Sequence, residues 1–119
     1  MKNTDTLKKN YEFKRILNKG KYCTGNYIEC FFQRNNKNIN LIGIAISSKL
    51  AKATKRNRIK RLIRENYRNI EENLKKGYSF VFLWKKQQNI ENASFNNIKK
   101  DIKKIFKEMD IYIDKEDSN

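Results

Sequence analysis

A helix with a single apolar stripe runs through the most basic stretch of this chain, and it limits the possible folds more than any other segment. Residues 55–68 read KRNRIKRLIRENYR. At about 100° per residue, Ile59, Leu62, Ile63 and Tyr67 align with Ile70 and Leu74 into one stripe of helical spacing. Around the stripe stand Lys55, Arg56, Arg58, Lys60, Arg61, Arg64 and Arg68. On the opposite side Asn57, Lys60, Arg61, Arg64 and Arg68 fall at i, i+3, i+4, i+7 and i+11, a continuous polar ridge. Like charges at that spacing repel, which disfavours such a helix in isolation. The stripe must therefore be buried by the rest of the chain.

The ridge calls for a polyanion, because a surface of phosphates turns its self-repulsion into attraction. The ordinary fate of a charge run is a solvated face. Here no Asp or Glu occurs between Glu29 and Glu65, so nothing nearby in sequence neutralises it. Arg and Asn also offer directional, multi-donor contacts where Lys offers a point charge. Nucleic-acid binding is the expectation.

The chain as a whole agrees. Its 119 residues suit one domain with a modest core. The formal net charge is +15, from 28 basic and 13 acidic residues, a field that attracts RNA, DNA or an anionic membrane. Cys23 and Cys30 are the two cysteines, and there is no histidine, so a tetrahedral zinc site is excluded. Both thiols are expected to be reduced and packed on strands. The N-terminus lacks an apolar segment of the secretory type, and no apolar run approaches a membrane span, which makes the cytoplasm the expected location.

Along the chain, residues 8–19 suggest a short helix with Asn10 as a cap, Phe13, Ile16 and Leu17 on one face, and Gly20 as its stop. Strand pattern occupies Tyr22–Gln33, interrupted at Gly25-Asn26, and an Asn-rich loop follows. LIGIAIS (Leu41–Ser47) reads as a buried strand, and the basic helix runs from about Thr54 to Leu74. After Gly77, YSFVFLW (Tyr78–Trp84) is a second strong strand. Ser94 should cap a last helix whose Phe95, Ile98, Ile102, Ile105, Phe106 and Met109 share a face. The expected fold is α+β in the order αβββαβα, one RNA-binding domain over 1–119, with helices on one side of a small sheet. Its ordered core would cover about 7–109, leaving an acidic, polar and loose tail at 110–119.

Catalysis by side chains finds little support. The commonest general base is absent, and no phosphate loop, nucleophile elbow or metal cluster appears. No small-molecule substrate is expected. The aromatics allow two readings. Phe13, Phe31, Phe32, Phe80 and Phe82 suit a core, yet a sheet has two faces for the helices to cover. An aromatic left at an open face would stack unpaired bases without regard to sequence, and Phe13 and Phe31 are the candidates.

The segment KLAKATKRNRIKRLIRENY (Lys49–Tyr67) closely resembles the signature of the bacterial ribonuclease P protein component, above all in Arg56-Asn57-Arg58 followed by Lys60-Arg61 and Arg64-Glu65. The resemblance extends to LKKNYEFKRILNKG (Leu7–Gly20), GIAIS (Gly43–Ser47) and FVFLWKK (Phe80–Lys86), and so covers roughly residues 7–109. It implies a left-handed strand–helix–strand crossover, against the usual right-handed rule. It also implies partnership with a large catalytic RNA that removes the 5′ leader of precursor tRNA, leaving a 5′-phosphate. Magnesium ions would belong to that RNA, with no cofactor bound by the protein alone.

Carried over by position, the resemblance places Arg56, Asn57, Arg58, Lys60, Arg61 and Arg64 on the RNA-facing helix and matches Ser48-Lys49 to a pair beside the leader cleft; Lys49, Lys52 and Arg68 complete the expected RNA-binding set. Phe13, Leu17, Phe31 and Ser48 would belong to a cleft for the single-stranded leader. Two departures stand out. Ala51 occupies a place that is commonly Gly and could shift the helix start, while Trp84 replaces a small residue and could reshape a cleft wall. The rival readings are a small ribosomal or general structured-RNA-binding protein, and a membrane-surface helix. Against the latter, the flanking strands require the helix's apolar face for their own core.

Overall fold

The computed structural model describes residues 3–113. In chain order the elements are β1 (Thr4–Thr6), α1 (Asn10–Lys19), β2 (Lys21–Thr24), β3 (Ile28–Arg34), β4 (Asn40–Ala45), α2 (Ala53–Ile70), β5 (Tyr78–Trp84) and α3 (Phe95–Met109). Short 3-10 turns occupy Glu71–Asn73 and Ile90–Asn92. The α+β reading holds, with one strand more than expected, β1. The strands form one mixed sheet in the order β1-β4-β5-β3-β2. β1 and β5 flank β4 in parallel, while β3 runs antiparallel to β5 and to β2.

Strand alternation divides the apolar residues between two faces. Ile28, Cys30, Phe32, Ile42, Ile44, Phe80, Phe82 and Trp84 join Ile59, Ile63 and Tyr67 of α2 and Ile98, Ile102, Ile105 and Phe106 of α3 in the main core. Full burial of each large side chain contributes about 1.5–3 kcal/mol. On the other face Leu41 and Val81 meet Leu7 and Ile16 in a smaller cluster under α1. The helices therefore lie on both sides of the sheet, not on one as the sequence suggested. The stripe of α1 is too short to compete for the larger face, and the longer α2 and α3 take it.

Two buried polar groups fix the ends of these layers. The Tyr67 hydroxyl hydrogen-bonds Thr4 Oγ1 at 2.6 Å and accepts from Asn40 Nδ2 at 3.4 Å, tying β1 to α2. Asn40 also accepts from the Tyr78 amide at 2.9 Å and donates to the Lys75 carbonyl at 3.0 Å. On α3, the Asp101 carboxylate accepts from the amides of Asn26 (2.8 Å), Tyr27 (2.6 Å) and Ile28 (3.0 Å), closing the β2–β3 turn. Gly25 is required there, since a Cβ would stand 2.4 Å from the Asp101 carboxyl carbon.

Cys23 and Cys30 are direct cross-strand partners and both are free thiols. Ser94 caps α3 as expected, accepting from the Asn97 amide at 3.1 Å. Asn10, by contrast, is the first residue of α1, and Lys9 holds the cap position without a side-chain bond. Packing continues past the expected boundary at Met109. Ile111 is fully buried, its carbonyl accepts from the Lys75 amide at 2.8 Å, and the Ile113 amide donates to Asn73 O at 2.7 Å. An apolar side chain just beyond the left-handed cap at Asp110 returns to the core. The rest of the expected tail, 114–119, lies outside the described residues.

Candidate nucleic-acid interface

Burial of Ile59, Ile63 and Tyr67 turns the opposite side of α2 outward. Asn57, Arg61 and Arg68 are exposed, and Lys60 and Arg64 are half-buried at the edges of the same ridge. The two arginines beside Asn57 are fastened in opposite directions. Arg56 Nη1 donates to the Ala51 carbonyl at 2.7 Å, and Arg58 Nη1 donates to the Ala93 carbonyl at 2.9 Å. Each guanidinium keeps further donors, so the backbone bonds orient these groups without exhausting them. Lys55 pairs with Glu91 at 2.7 Å, and that lysine's hydrogen bond and charge hold the exposed Glu91 carboxyl below its ordinary range.

No acidic side chain stands in the first turn of α2 and its N-cap, Lys52, makes no side-chain cap bond. Cations crowd the positive end of the helix dipole, an arrangement unfavourable alone and favourable next to phosphate. Lys49 and Ser48 are exposed in the turn that leads into it. Ala51 is not among the residues of positive φ, so nothing in this turn demands the usual Gly.

Beside this helix entry the sheet face under α1 is open. A cleft of about 300 Å³ is bounded by Leu17 of α1, Phe31 and Glu29 of β3, Ala45 of β4, Leu83 of β5, and Ser47 and Leu50 before α2. Lys86 and Gln87 stand at its rim. Tyr22, cross-strand from Phe31 with ring centroids 5.0 Å apart, extends the aromatic surface, and its hydroxyl donates to Glu29 Oε2 at 3.0 Å. Of the expected cleft residues, Leu17 and Phe31 line it. Phe13 does not: it is half-buried in the cluster behind them, over Gly43, where a Cβ would come within 2.5 Å of its ring. Ser48 is likewise absent from the lining, and its neighbour Ser47 is present.

Ala45, Leu83 and Tyr22 were not anticipated, although alternation from Phe31 through its strand partners puts them on one face. Trp84 borders the cleft, but its indole lies in the main core, stacked 5.9 Å from Tyr27 with Nε1 donating to Gln88 O at 2.9 Å. Among the described residues no group of three or more His, Cys, Asp or Glu side chains could hold a metal ion, and no helix is long and apolar enough to cross a membrane.

The ribonuclease P family profile matches residues 1–110. The chain belongs to the ribonuclease P protein family. It is 36% identical over 110 residues to the ribonuclease P protein component of Caldanaerobacter subterraneus subsp. tengcongensis, covering 92% of this chain and 93% of that protein. To the corresponding protein of Clostridioides difficile it is 38% identical over 111 residues, 92% and 96% of the two chains. In three dimensions it resembles the RNase P proteins of Staphylococcus aureus (TM-score 0.76, 27% identity, 91% and 97% coverage) and Thermotoga maritima (TM-score 0.78, 26% identity, 87% and 96% coverage). As a ribonuclease P protein component, the chain is part of a ribonucleoprotein endoribonuclease that acts in tRNA 5′ maturation.

Proposed function

We propose that α2 docks on the catalytic RNA while the cleft beside it holds the single-stranded leader of precursor tRNA. The observation that carries this reading is the adjacency of the two surfaces. The Ser47–Leu50 turn that walls the cleft leads directly into the cationic end of α2. A duplex or folded RNA laid on the ridge of Asn57, Lys60, Arg61, Arg64 and Arg68, with Arg56, Arg58, Lys52 and Lys49 at its head, would have its phosphates neutralised. A strand leaving that RNA would meet Phe31, Tyr22, Leu17 and Leu83, which accept any base by stacking and apolar contact. Phe13 supports this wall from behind.

In this reading the protein moves no proton and breaks no bond. It positions the scissile phosphodiester relative to the RNA, and its charge lowers the repulsion between RNA segments, which favours their binding of magnesium. The metal ions stay with the RNA, and the cytoplasm is the place of action. A ribosomal protein would gain nothing from the cleft.

Leader-length dependence tests the assignment. With the holoenzyme, affinity for precursor tRNA should rise as the leader lengthens into the cleft. Phe31→Ala should remove about 1–3 kcal/mol of that gain, the usual worth of one stacked base. Affinity independent of leader length would refute the cleft assignment.

A further inference from the structure

α1 does not cover its face of the sheet symmetrically. Leu17 borders the cleft described above, and on the other side of the same helix Ile16 borders a second one, also about 300 Å³. The two are reached by opposite ends of the strands. Ala45 marks the first cleft on β4 and Leu41 the second, four residues and about 13 Å apart.

The second cleft is polar and mostly basic. Arg15 of α1 and Lys37 of the β3–β4 connection line it, with Arg34 at the end of β3, against one acid, Glu12. The connection is braced by Asn35 around the backbone of Lys37. Asn35 Nδ2 donates to Ile39 O (3.1 Å) and Ser79 Oγ (3.3 Å), and its Oδ1 accepts from the Lys37 amide at 2.8 Å. Arg34 ends β3 at the edge of this cleft, but its guanidinium lies over the ring of its strand partner Tyr78, 5.5 Å from the centroid, on the opposite face of the sheet. At the mouth Tyr11 is 56% exposed, with Lys9 Nζ and Arg15 Cζ at 5.7 Å and 5.9 Å from its ring centroid. An exposed aromatic flanked by cations can stack a base while the cations take the adjoining phosphate.

We propose that this second cleft is a subsite for single-stranded RNA, taking leader nucleotides 5′ of those in the first. The inference rests on the reading of the first cleft as the leader site. The first cleft adjoins the turn into α2, the second lies across α1 from it, and a leader departing from the cleavage site reaches the farther cleft with its more 5′ nucleotides. Tyr11 provides the stacking plane, and Arg15 and Lys37 provide the phosphate contacts.

The test uses holoenzyme reconstituted from the full chain and a bacterial ribonuclease P RNA. Dissociation constants are measured for a precursor tRNA whose leader ends within the first cleft and for one whose leader passes α1. Tyr11→Ala should lower the long-to-short affinity ratio about tenfold, within the range for one lost stacking contact. Arg15→Gln with Lys37→Gln should reduce the salt slope of long-leader binding by about 0.7 per lost phosphate contact. An unchanged ratio in Tyr11→Ala, or an equal loss on both substrates, would overturn the proposal. Phe31→Ala separates the two readings, since it should weaken both substrates. If it weakens neither while Tyr11→Ala still lowers the ratio, the first cleft is misassigned and the second stands.

Discussion

Cys30 faces the main core, with Phe82 as its strand partner, and burial pushes its thiol well above the usual range, helped by the nearby Cys23. An unfolded thiol ionises near about pH 8.5. Above that point the folded state retains a proton that the unfolded state has lost, so stability falls as pH rises. Below it the contribution is complete. With no histidine to titrate, unfolding free energy should be level between about pH 6 and 8, then decline by up to about 1.4 kcal/mol per pH unit per thiol. Cys30→Ala should flatten that alkaline slope in urea titrations at several pH values, and an unaltered slope would remove Cys30 as its source. Asp101 makes a second residue-scale case. Replacing its carboxylate by an amide sets a donor against backbone donors at the β2–β3 turn. Asp101→Asn should cost about 3 kcal/mol, read as a lower urea midpoint at constant m. A change within experimental scatter would mean that the turn closes without it. Gly25-Asn26 was readable as a break in the strand pattern, but nothing in the sequence tied it to Asp101, because their contact joins residues that are far apart in the chain.

At the scale of elements, α2, β4, β5 and α3 were legible because each repeats a pattern over many residues: a stripe of period 3.6, or an apolar run bounded by turn residues. β1 was not. Thr4–Thr6 has neither length nor alternation, and it is a strand only because β4 offers an edge and Tyr67 a hydroxyl. The expected ridge of α2 was also readable, since burial of Ile59, Ile63 and Tyr67 fixes the rotation of the helix and therefore what its far side presents. The fastening of Arg56 and Arg58 to Ala51 and Ala93 was not, as both carbonyls lie off the helix. If the ridge carries RNA docking, Arg61→Ala and Arg64→Ala should each weaken binding to the catalytic RNA and lower the salt slope by about 0.9 per lost phosphate contact. A slope equal to that of the wild type would take those side chains out of the interface.

For the whole molecule, the decisive feature is how the layers are shared. α2 and α3 take the larger sheet face, and α1 crosses the smaller one without filling it, which leaves open clefts beside it. That division depends on strand order and on Gly43 admitting the Phe13 ring, both products of long-range pairing that local patterns do not encode. It explains why Phe31 could be named from the sequence while Leu83, Ala45 and Tyr22 could not, and why Phe13 supports the wall it was expected to form. On the proposed reading, the net charge of +15 acts on the assembled surface and draws RNA to the α2 side. The most direct test is reconstitution: the chain is added to a bacterial ribonuclease P RNA at low magnesium, and 5′ cleavage of a precursor tRNA is followed. Cleavage should be restored by the wild-type chain and lost with the Arg61→Ala/Arg64→Ala double variant. Tight RNA binding without restored cleavage would contradict the account.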